Sequence, residues 1–399
     1  MAASMFPTSS SVLLFLGWIT GGLYLALLAI KIRLGLRALR LQPQGREQRG
    51  SVTLLQPILS GDPALRESLQ HNLNTTPDTA LFIWLIDEED SLAAEVTHSI
   101  RESAPSLADR IRILTCPAHP ENANPKTYKL MLGFEQVTTG FVAVLDDDTR
   151  LEPEALDRAR FALERANAYT GLPLYLPGLN LWSSLVSHFV NNNSVFAYLS
   201  LLGVAEPLSL NGMFYVMKTA TLSGYGGFSA ILDQIADDHA MARLIHKHGG
   251  SIIQGIQPQL IRTSVPDATS YVRLMHRWFV FANHQVQQQS PGTRLLLILI
   301  LALPPFLIWL SLGFWIAAFS PGAALSAVGL LWLRDQSTKR MLTAVMPGGF
   351  TIRWHHSILA ELLQPLHLGH ALLCRRIHWR SRDLRMGPDG AWSEIPRRS

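Results

Sequence analysis

The chain has 399 residues, enough for one large domain or two modest ones. It is 48% hydrophobic and only 16% charged, against about 25% charged residues in an ordinary soluble domain, so a wholly water-exposed chain is excluded and part of it belongs in lipid. The formal net charge of +4 is small and comes from local basic clusters beside apolar segments, which speaks against a nucleic-acid partner.

The first apolar block runs without a charge from Ser11 to Ile30, about the 20 residues that a bilayer core needs. Lys31, Arg33, Arg37 and Arg40 follow at once. Positive charge collects on the cytoplasmic side, so residue 31 onward is expected inside the cell. A cleaved leader normally has its basic residues first, so this block reads as an uncleaved anchor, residues 1–40.

The stretch from Ser51 to about Pro266 reads as an α/β domain. Strands are predicted at Ser51–Leu55, Leu81–Ile86, Ile111–Leu114 and Phe141–Leu145. Helical segments are predicted at Leu92–Ser103 and Lys129–Val137. Strands alternating with helices indicate a mostly parallel sheet covered on both faces. Such sheets bind ligands outside the carboxyl ends of their strands. Asp87-Glu-Glu-Asp90 and Asp146-Asp147-Asp148 both stand at ends of that kind. Leu174–Leu202 is aromatic but carries Asn191-Asn-Asn193. It is too polar to span and fits a buried piece or a helix resting on the bilayer.

Leu295–Phe319 is again uncharged, with Pro304-Pro305 predicting a kink. A shorter run, Ala323–Leu333, follows and pairs with it as a hairpin. Ser357–Cys374 carries Glu361, Gln364, His367 and His370 and is expected to lie in the interface or to re-enter. Arg375, Arg376, Arg380 and Arg382 then favour a cytoplasmic tail. The expected organisation is therefore an anchor (1–40), a cytoplasmic catalytic domain (41–290) and a membrane helical region with a basic tail (291–399). The two cysteines, Cys116 and Cys374, lie far apart and show neither a disulfide framework nor metal-ligand spacing.

Three clusters carry chemistry. Three adjacent carboxylates at Asp146–Asp148 repel one another unless they are solvated or neutralised. In Asp-x-Asp at a strand end, residues i and i+2 face the same side, and hard oxygen ligands suit Mg²⁺ or Mn²⁺. The alternative is an exposed acidic turn before the next helix. Asp237-Asp238 opens a helical run, Ile235–His246, after Gly224-Tyr-Gly-Gly-Phe228. Asp238 is a candidate to take a proton from an acceptor hydroxyl, or a charge favoured at a helix start. Arg277-Trp278 offers a cation for a leaving diphosphate, or a membrane-interface pair. His246-Lys-His248 resembles a metal pair, but at i and i+2 on a helix the rings point apart. His355-His356 reads as interfacial, and Gln287-Gln-Gln289 as a polar connector.

In their order and spacing these residues resemble the ceramide glucosyltransferase family, a branch of the inverting GT-A glycosyltransferases. The likeness covers Leu54 to Arg382. It opens on Leu54-Leu-Gln-Pro-Ile-Leu-Ser-Gly-Asp-Pro63 and takes in Asp87, Asn124-Pro-Lys126, Asp146, Asp238, Arg277-Trp278 and Trp379-Arg380. The family motif ending at Arg277-Trp278 wants Gln or Arg three residues earlier, and this chain has Leu274. The resemblance implies a UDP-sugar donor, contacted by Asp87, Lys126 and Asp146. It implies a divalent metal on Asp146 and Asp148, Asp238 as general base, and Arg277 and Trp278 serving the leaving group or the acceptor. The acceptor would be a membrane lipid, ceramide-like and probed from the inner face of the bilayer (the inner membrane in a bacterium). Hopanoid acceptors of related bacterial enzymes, with sugars such as N-acetylglucosamine, are an alternative. A polysaccharide synthase is another, although the membrane portion is small for a polymer channel. Prenyl transfer, which would want paired Asp-rich motifs on membrane helices, and a non-catalytic scaffold, for which only Leu274 speaks, are the remaining rival readings.

Overall fold

The computed structural model describes residues 9–41, 45, 50–348, 351–379, 382–387 and 392–394. Arg380, half of the Trp379-Arg380 element, lies outside the described residues. Two compact units are formed. An α/β unit is drawn from within 41–179, 205–266 and 375–399, and a helical unit from within 1–40, 180–204 and 267–374.

The α/β unit is built on strands β1 (Val52–Pro57), β2 (Ala80–Asp87), β3 (Ile111–Cys116), β4 (Phe141–Leu145), β5 (Thr149–Arg150), β6 (Ala168–Tyr175), β7 (Phe214–Lys218) and β8 (Ile252–Ile261). Their order across the sheet is β3-β2-β1-β4-β7-β6-β8-β5. The first four strands are mutually parallel. β7 runs antiparallel to both β4 and β6, β6 is parallel to β8, and β5 closes the edge antiparallel to β8. The sheet is therefore mixed, with its parallel half at the amino-terminal side of the unit.

β1, β2 and β4 are largely apolar because both faces are covered, with Thr53 and Gln56 as buried polar exceptions in β1. Alternate residues enter different cores, as a period of two requires. Leu54, Phe82, Trp84, Ala143 and Leu145 join one core. Leu55, Ile83, Leu85, Val142 and Val144 join the other. Helices Leu65–Thr75, Ser91–Ser103 and Pro125–Phe134 make the crossovers between the parallel strands. Two of them start on side-chain caps. Asp90 accepts from the Ala93 N–H, and Asn124 accepts from those of Lys126 and Thr127. The crossovers bring Pro57, Asp87 and Leu145, the carboxyl ends of β1, β2 and β4, to one sheet edge.

In the helical unit the first helix, Ser9–Leu41, has 33 residues and runs beyond the apolar block to include its basic residues. It and Pro291–Ala318 are the two helices long and apolar enough to cross a membrane among the described residues. The two pack closely because Gly17 and Gly21 leave room for Trp315; a Cβ at Gly17 would collide with the indole. Thr20 and Ser311 join them by a hydroxyl hydrogen bond of 3.0 Å. The sequence predicts a kink at Pro304-Pro305. The structure adjusts one turn earlier, where Ile298–Ala302 widens into a π-helical turn before Leu303–Ala318. Prolines remove N–H donors, and a wider turn changes which carbonyls need one.

Leu181–Asn193, within the stretch that the sequence reads as buried or surface-lying, is a mostly buried helix of this unit. Pro321–Val345 carries the fully buried Arg334, whose guanidinium donates to Glu361 (2.8 Å), the Ser357 hydroxyl (2.6 Å) and the Ser357 carbonyl (3.1 Å). Tyr24 donates to the other Glu361 oxygen at 3.0 Å. Of the polar positions of Ser357–Cys374, Glu361 and Ser357 thus serve an internal ion pair, while His367 meets Tyr271 instead. The segment forms not one long helix but two, Trp354–Leu362 and Gln364–Leu373, broken before Pro365.

Candidate active site

The chemistry-bearing residues of the α/β unit meet where β1, β2 and β4 end. Asp146 follows β4 directly. Its N–H donates to the Met213 carbonyl (2.9 Å), and its own carbonyl accepts from the Gln56 amide (3.3 Å). The chain of the triad is thus pinned to both neighbouring strand ends.

Lys126 is placed by the Asn124 cap. The Asn124 amide also donates to the carbonyls of Gln234 (2.9 Å) and Ile235 (3.1 Å), which ties the start of the Pro125–Phe134 helix to the segment before Asp237. The Lys126 ammonium then lies 2.7 Å from Asp146 Oδ1 and 3.5 Å from Asp237 Oδ2, and donates to the Gly212 carbonyl at 2.9 Å. One cation therefore joins two acidic clusters separated by some ninety residues of chain. Asp238 lies against the same strand-end loop: a Cβ on Gly212 would stand 3.1 Å from the Asp238 Cβ. Its Oδ1 accepts from the His239 N–H at 2.7 Å, as suits a carboxylate in the first turn of the Asp237–Lys247 helix.

The other carboxylates have weaker partners. Asp147 accepts from the Leu59 N–H (2.8 Å) and Asp148 from the Thr149 and Thr263 hydroxyls (both 3.2 Å). Burial pushes the Asp148 carboxyl well above the ordinary aspartate value, and repulsion from Asp146 and Asp147 adds to it. Asp147 is raised by burial to about 7. Asp146 is also raised by burial, which outweighs its pairing with Lys126. Lys126 is raised despite burial, because Asp146 and Asp237 surround it with negative charge. The Asp238 carboxyl is raised to about 7 by burial and then by Asp237, against the pull of the His239 N–H. A cluster of hard oxygen donors with more negative charge than one ammonium can neutralise fits a hard divalent cation.

Asp87, at the end of β2, is paired 3.0 Å from Lys129, whose ammonium also donates to the Ile58 carbonyl at 3.0 Å. The structure thus brings Asp146, Asp148, Lys126 and Asp238 onto linked strand-end segments. Asp87 stands at the end of the neighbouring strand. Arg277 and Trp278 belong to the helical unit, on Ala268–Gln287, where Trp278 stacks on Phe189 with centroids 6.2 Å apart.

Sequence reasoning did not find Lys129, Asp237 as a partner of Lys126, or Thr263. Lys129 carried a usable signal. It is three residues after Lys126 on the same helix, and so both could face one strand-end edge. Thr263 carried none. His246 and His248 form no metal pair. His246 Nε2 lies 3.1 Å from the Pro207 carbonyl, and His248 stacks on Tyr225.

A family model described as glycosyl transferase family 21 matches residues 15–392. The chain belongs to glycosyl transferase family 21. The transferase is also similar in structure to the mannosyltransferase PcManGT of Pyrobaculum calidifontis, solved in complex with GDP-Man and Mn²⁺. The TM-score is 0.53 at 16% identity, covering 90% of this chain and 98% of that one. At that identity the likeness is one of fold, and the mixed α/β sheet is of the GT-A type. GalNAc-T7, solved with UDP, GalNAc and Mn²⁺, is similar at TM-score 0.40 and 10% identity over 64% of this chain and 57% of that one, too distant to bear on the fold. Among the described residues the transferase has two helices of membrane-spanning length and apolarity, which fits an association with lipid.

Proposed function

We propose that the protein is an inverting, metal-dependent glycosyltransferase that moves a sugar, glucose in the first instance, from a UDP-sugar to the hydroxyl of a ceramide-like membrane lipid. The observation that carries this reading is the Lys126 bridge, which joins the Asp146 strand end to the Asp237-Asp238 helix start. It brings the Asp146–Asp148 carboxylates, the proposed cation ligands, and Asp238, the proposed proton acceptor, onto adjoining segments. Titration near neutrality, to which burial raises Asp238, suits a general base that must be ionised yet still basic.

In this reading Asp238 takes the proton of the lipid hydroxyl as that oxygen attacks the anomeric carbon, and the bond from that carbon to the diphosphate breaks to release UDP. Asp87 and Lys126 hold the nucleotide end of the donor. Asp146 and Asp148 would hold Mg²⁺ or Mn²⁺, which supplies positive charge for the diphosphate when bound. The mannosyltransferase relative was solved with that class of ligand, a nucleotide-sugar and Mn²⁺. Arg277 and Trp278, from the sequence motif, serve the UDP leaving group or the acceptor. The apolar helices keep a water-insoluble acceptor close to the enzyme on the cytoplasmic face. The basic run after Ile30 supports that orientation.

Expression in a host that lacks glycolipids, followed by mass spectrometry of the lipid extract, tests the proposal. A lipid heavier by one hexose, absent with Asp238→Asn, is expected. A ladder of sugars would point instead to a polysaccharide synthase, and a hopanoid mass to that acceptor. An unchanged extract in a host supplied with ceramide and UDP-glucose would remove the assignment.

A further inference from the structure

A second set of ligand-type side chains lies in the helical unit. His276 is in the middle of Ala268–Gln287, His370 is in the last turn of Gln364–Leu373, and Cys374 caps that same helix. His370 and Cys374 are four residues apart, and the Cys374 N–H donates to the His370 carbonyl at 2.9 Å. The helical spacing therefore holds to the cysteine and turns both side chains to one side. His276 arrives from the packed neighbouring helix, with its ring 4.2 Å from that of His370 at an interplanar angle of 38°. One donor atom from each of the three lies within 4.8 Å of the other two. Metal–nitrogen bonds of about 2.0–2.1 Å and metal–sulfur bonds of about 2.3 Å place tetrahedral ligands roughly 3.3–3.8 Å apart. Small side-chain rotations close that gap.

The helices are already registered against each other from the other side of His276, where Tyr271 and His367 Nε2 are 3.0 Å apart. The ligands thus project from an interface that exists without the metal. His276 is buried, Cys374 half-buried and His370 exposed, so the site is open to solvent at one side. This gives an ion an entry path and would leave a fourth coordination position open to solvent.

We propose that His276, His370 and Cys374 form a zinc-type site that clips the Ala268–Gln287 helix to the end of Gln364–Leu373. The donor set decides the class of ion. Two imidazoles and a thiolate favour Zn²⁺ and other borderline or soft ions over Mg²⁺, whereas the carboxylates Asp146 and Asp148 are hard. Neither cysteine showed ligand spacing in the sequence because two of the ligands are nearly a hundred residues from the third. The clip acts one residue before Arg277-Trp278, so an ion here fixes the rotation of the helix that carries that motif. This inference does not depend on the sugar or the lipid.

The test uses the full chain in detergent, stripped with a chelator and held in excess Mg²⁺. Titration with Co²⁺ is expected to give a thiolate-to-cobalt charge-transfer band saturating at about one ion per chain and discharged by Zn²⁺. The band should survive Cys116→Ser and vanish in Cys374→Ser and His276→Asn. In the unaltered protein, Zn²⁺ should slow alkylation of Cys374 by about tenfold or more, since free thiolate is the reactive form. This second reading needs no variant to fold. Absence of both the band and the protection, or a band that follows Cys116, overturns the proposal.

Discussion

Replacing Lys126 with Met isolates the contact on which the candidate active site is built. Its ammonium lies 2.7 Å from Asp146 and 3.5 Å from Asp237. At an effective dielectric of about 20 these attractions are roughly 6 and 5 kcal/mol before desolvation. Removing one partner of a buried pair costs about 3–5 kcal/mol, because a charge is left without a counterion. The side chains here are 22%, 28% and 14% exposed, and Asp146 can take up a proton, so we expect a loss of roughly 2–4 kcal/mol. That corresponds to a fall in Tm of roughly 5–15 °C for a unit of this size. Thermal unfolding in metal-free detergent buffer, followed by tryptophan fluorescence, reads it directly. Lys126→Arg should lose less. The deficit should shrink as the pH is lowered, because protonating Asp146 removes the unpaired charge. Saturating Mn²⁺ should restore more of the Tm in Lys126→Met than it adds to the unaltered protein, since the ion supplies the missing positive charge. A Lys126→Met protein that melts within about a degree of the original in metal-free buffer would refute the reasoning.

Other outcomes follow from the same geometry. Asp238→Asn should abolish transfer while UDP binding survives, and near-normal turnover would remove Asp238 from the mechanism. Asp90→Ala removes the acceptor of the Ser60 and Ala93 N–H groups at 2.9 and 3.0 Å and should cost about 1 kcal/mol. Burial raises the Asp90 carboxyl, but its hydrogen bonds from Ser60 and Ala93 outweigh this and hold it below the ordinary value of 3.8. A carboxylate lowered on folding stabilises the fold above its unfolded value and loses that effect as the pH falls through its folded one. The Asp90→Ala deficit, followed by urea unfolding, should therefore be full at pH 7 and close on acidification below about 4. Arg334→Met should destabilise the helical unit by about 3–5 kcal/mol by leaving Glu361 unpaired, and Arg334→Met with Glu361→Leu should recover most of it.

The parallel half of the sheet was legible because its inner strands, covered on both faces, are largely apolar runs. Val52–Pro57, Ala80–Asp87, Ile111–Cys116 and Phe141–Leu145 fall within two residues of their predicted bounds. The other half was not. Ala168–Tyr175 contains Gly171 and Pro173, and Ile252–Ile261 contains Gly255, Pro258 and three glutamines, so neither reads as a strand. Their glycines are there for contact: a Cβ at Gly171 would collide with Gln259, and one at Gly255 with Tyr169. The pairing also shifts register between Thr170 and Leu172, which breaks the periodicity a reader would look for. Asp146, Asp148 and Asp238 stood out because adjacent carboxylates at a strand end or helix start need an explanation. The bridge between them did not, since Lys126 is separated from Asp237 by more than a hundred residues. In the helical unit the two long apolar helices were visible from composition. The ion pair of Arg334 with Glu361 was not, because Arg334 appeared as the charge that ends an apolar run and Glu361 as one of several polar positions within Ser357–Cys374.

Manganese binding by the purified full chain, measured by electron paramagnetic resonance with and without UDP, bears most directly on the carboxylate triad. One tightly held Mn²⁺ per chain, strengthened by UDP and lost in Asp148→Asn with Lys126 unaltered, is the expected result. Ion binding that ignores UDP, or persists unchanged in both Asp146→Asn and Asp148→Asn, would contradict it.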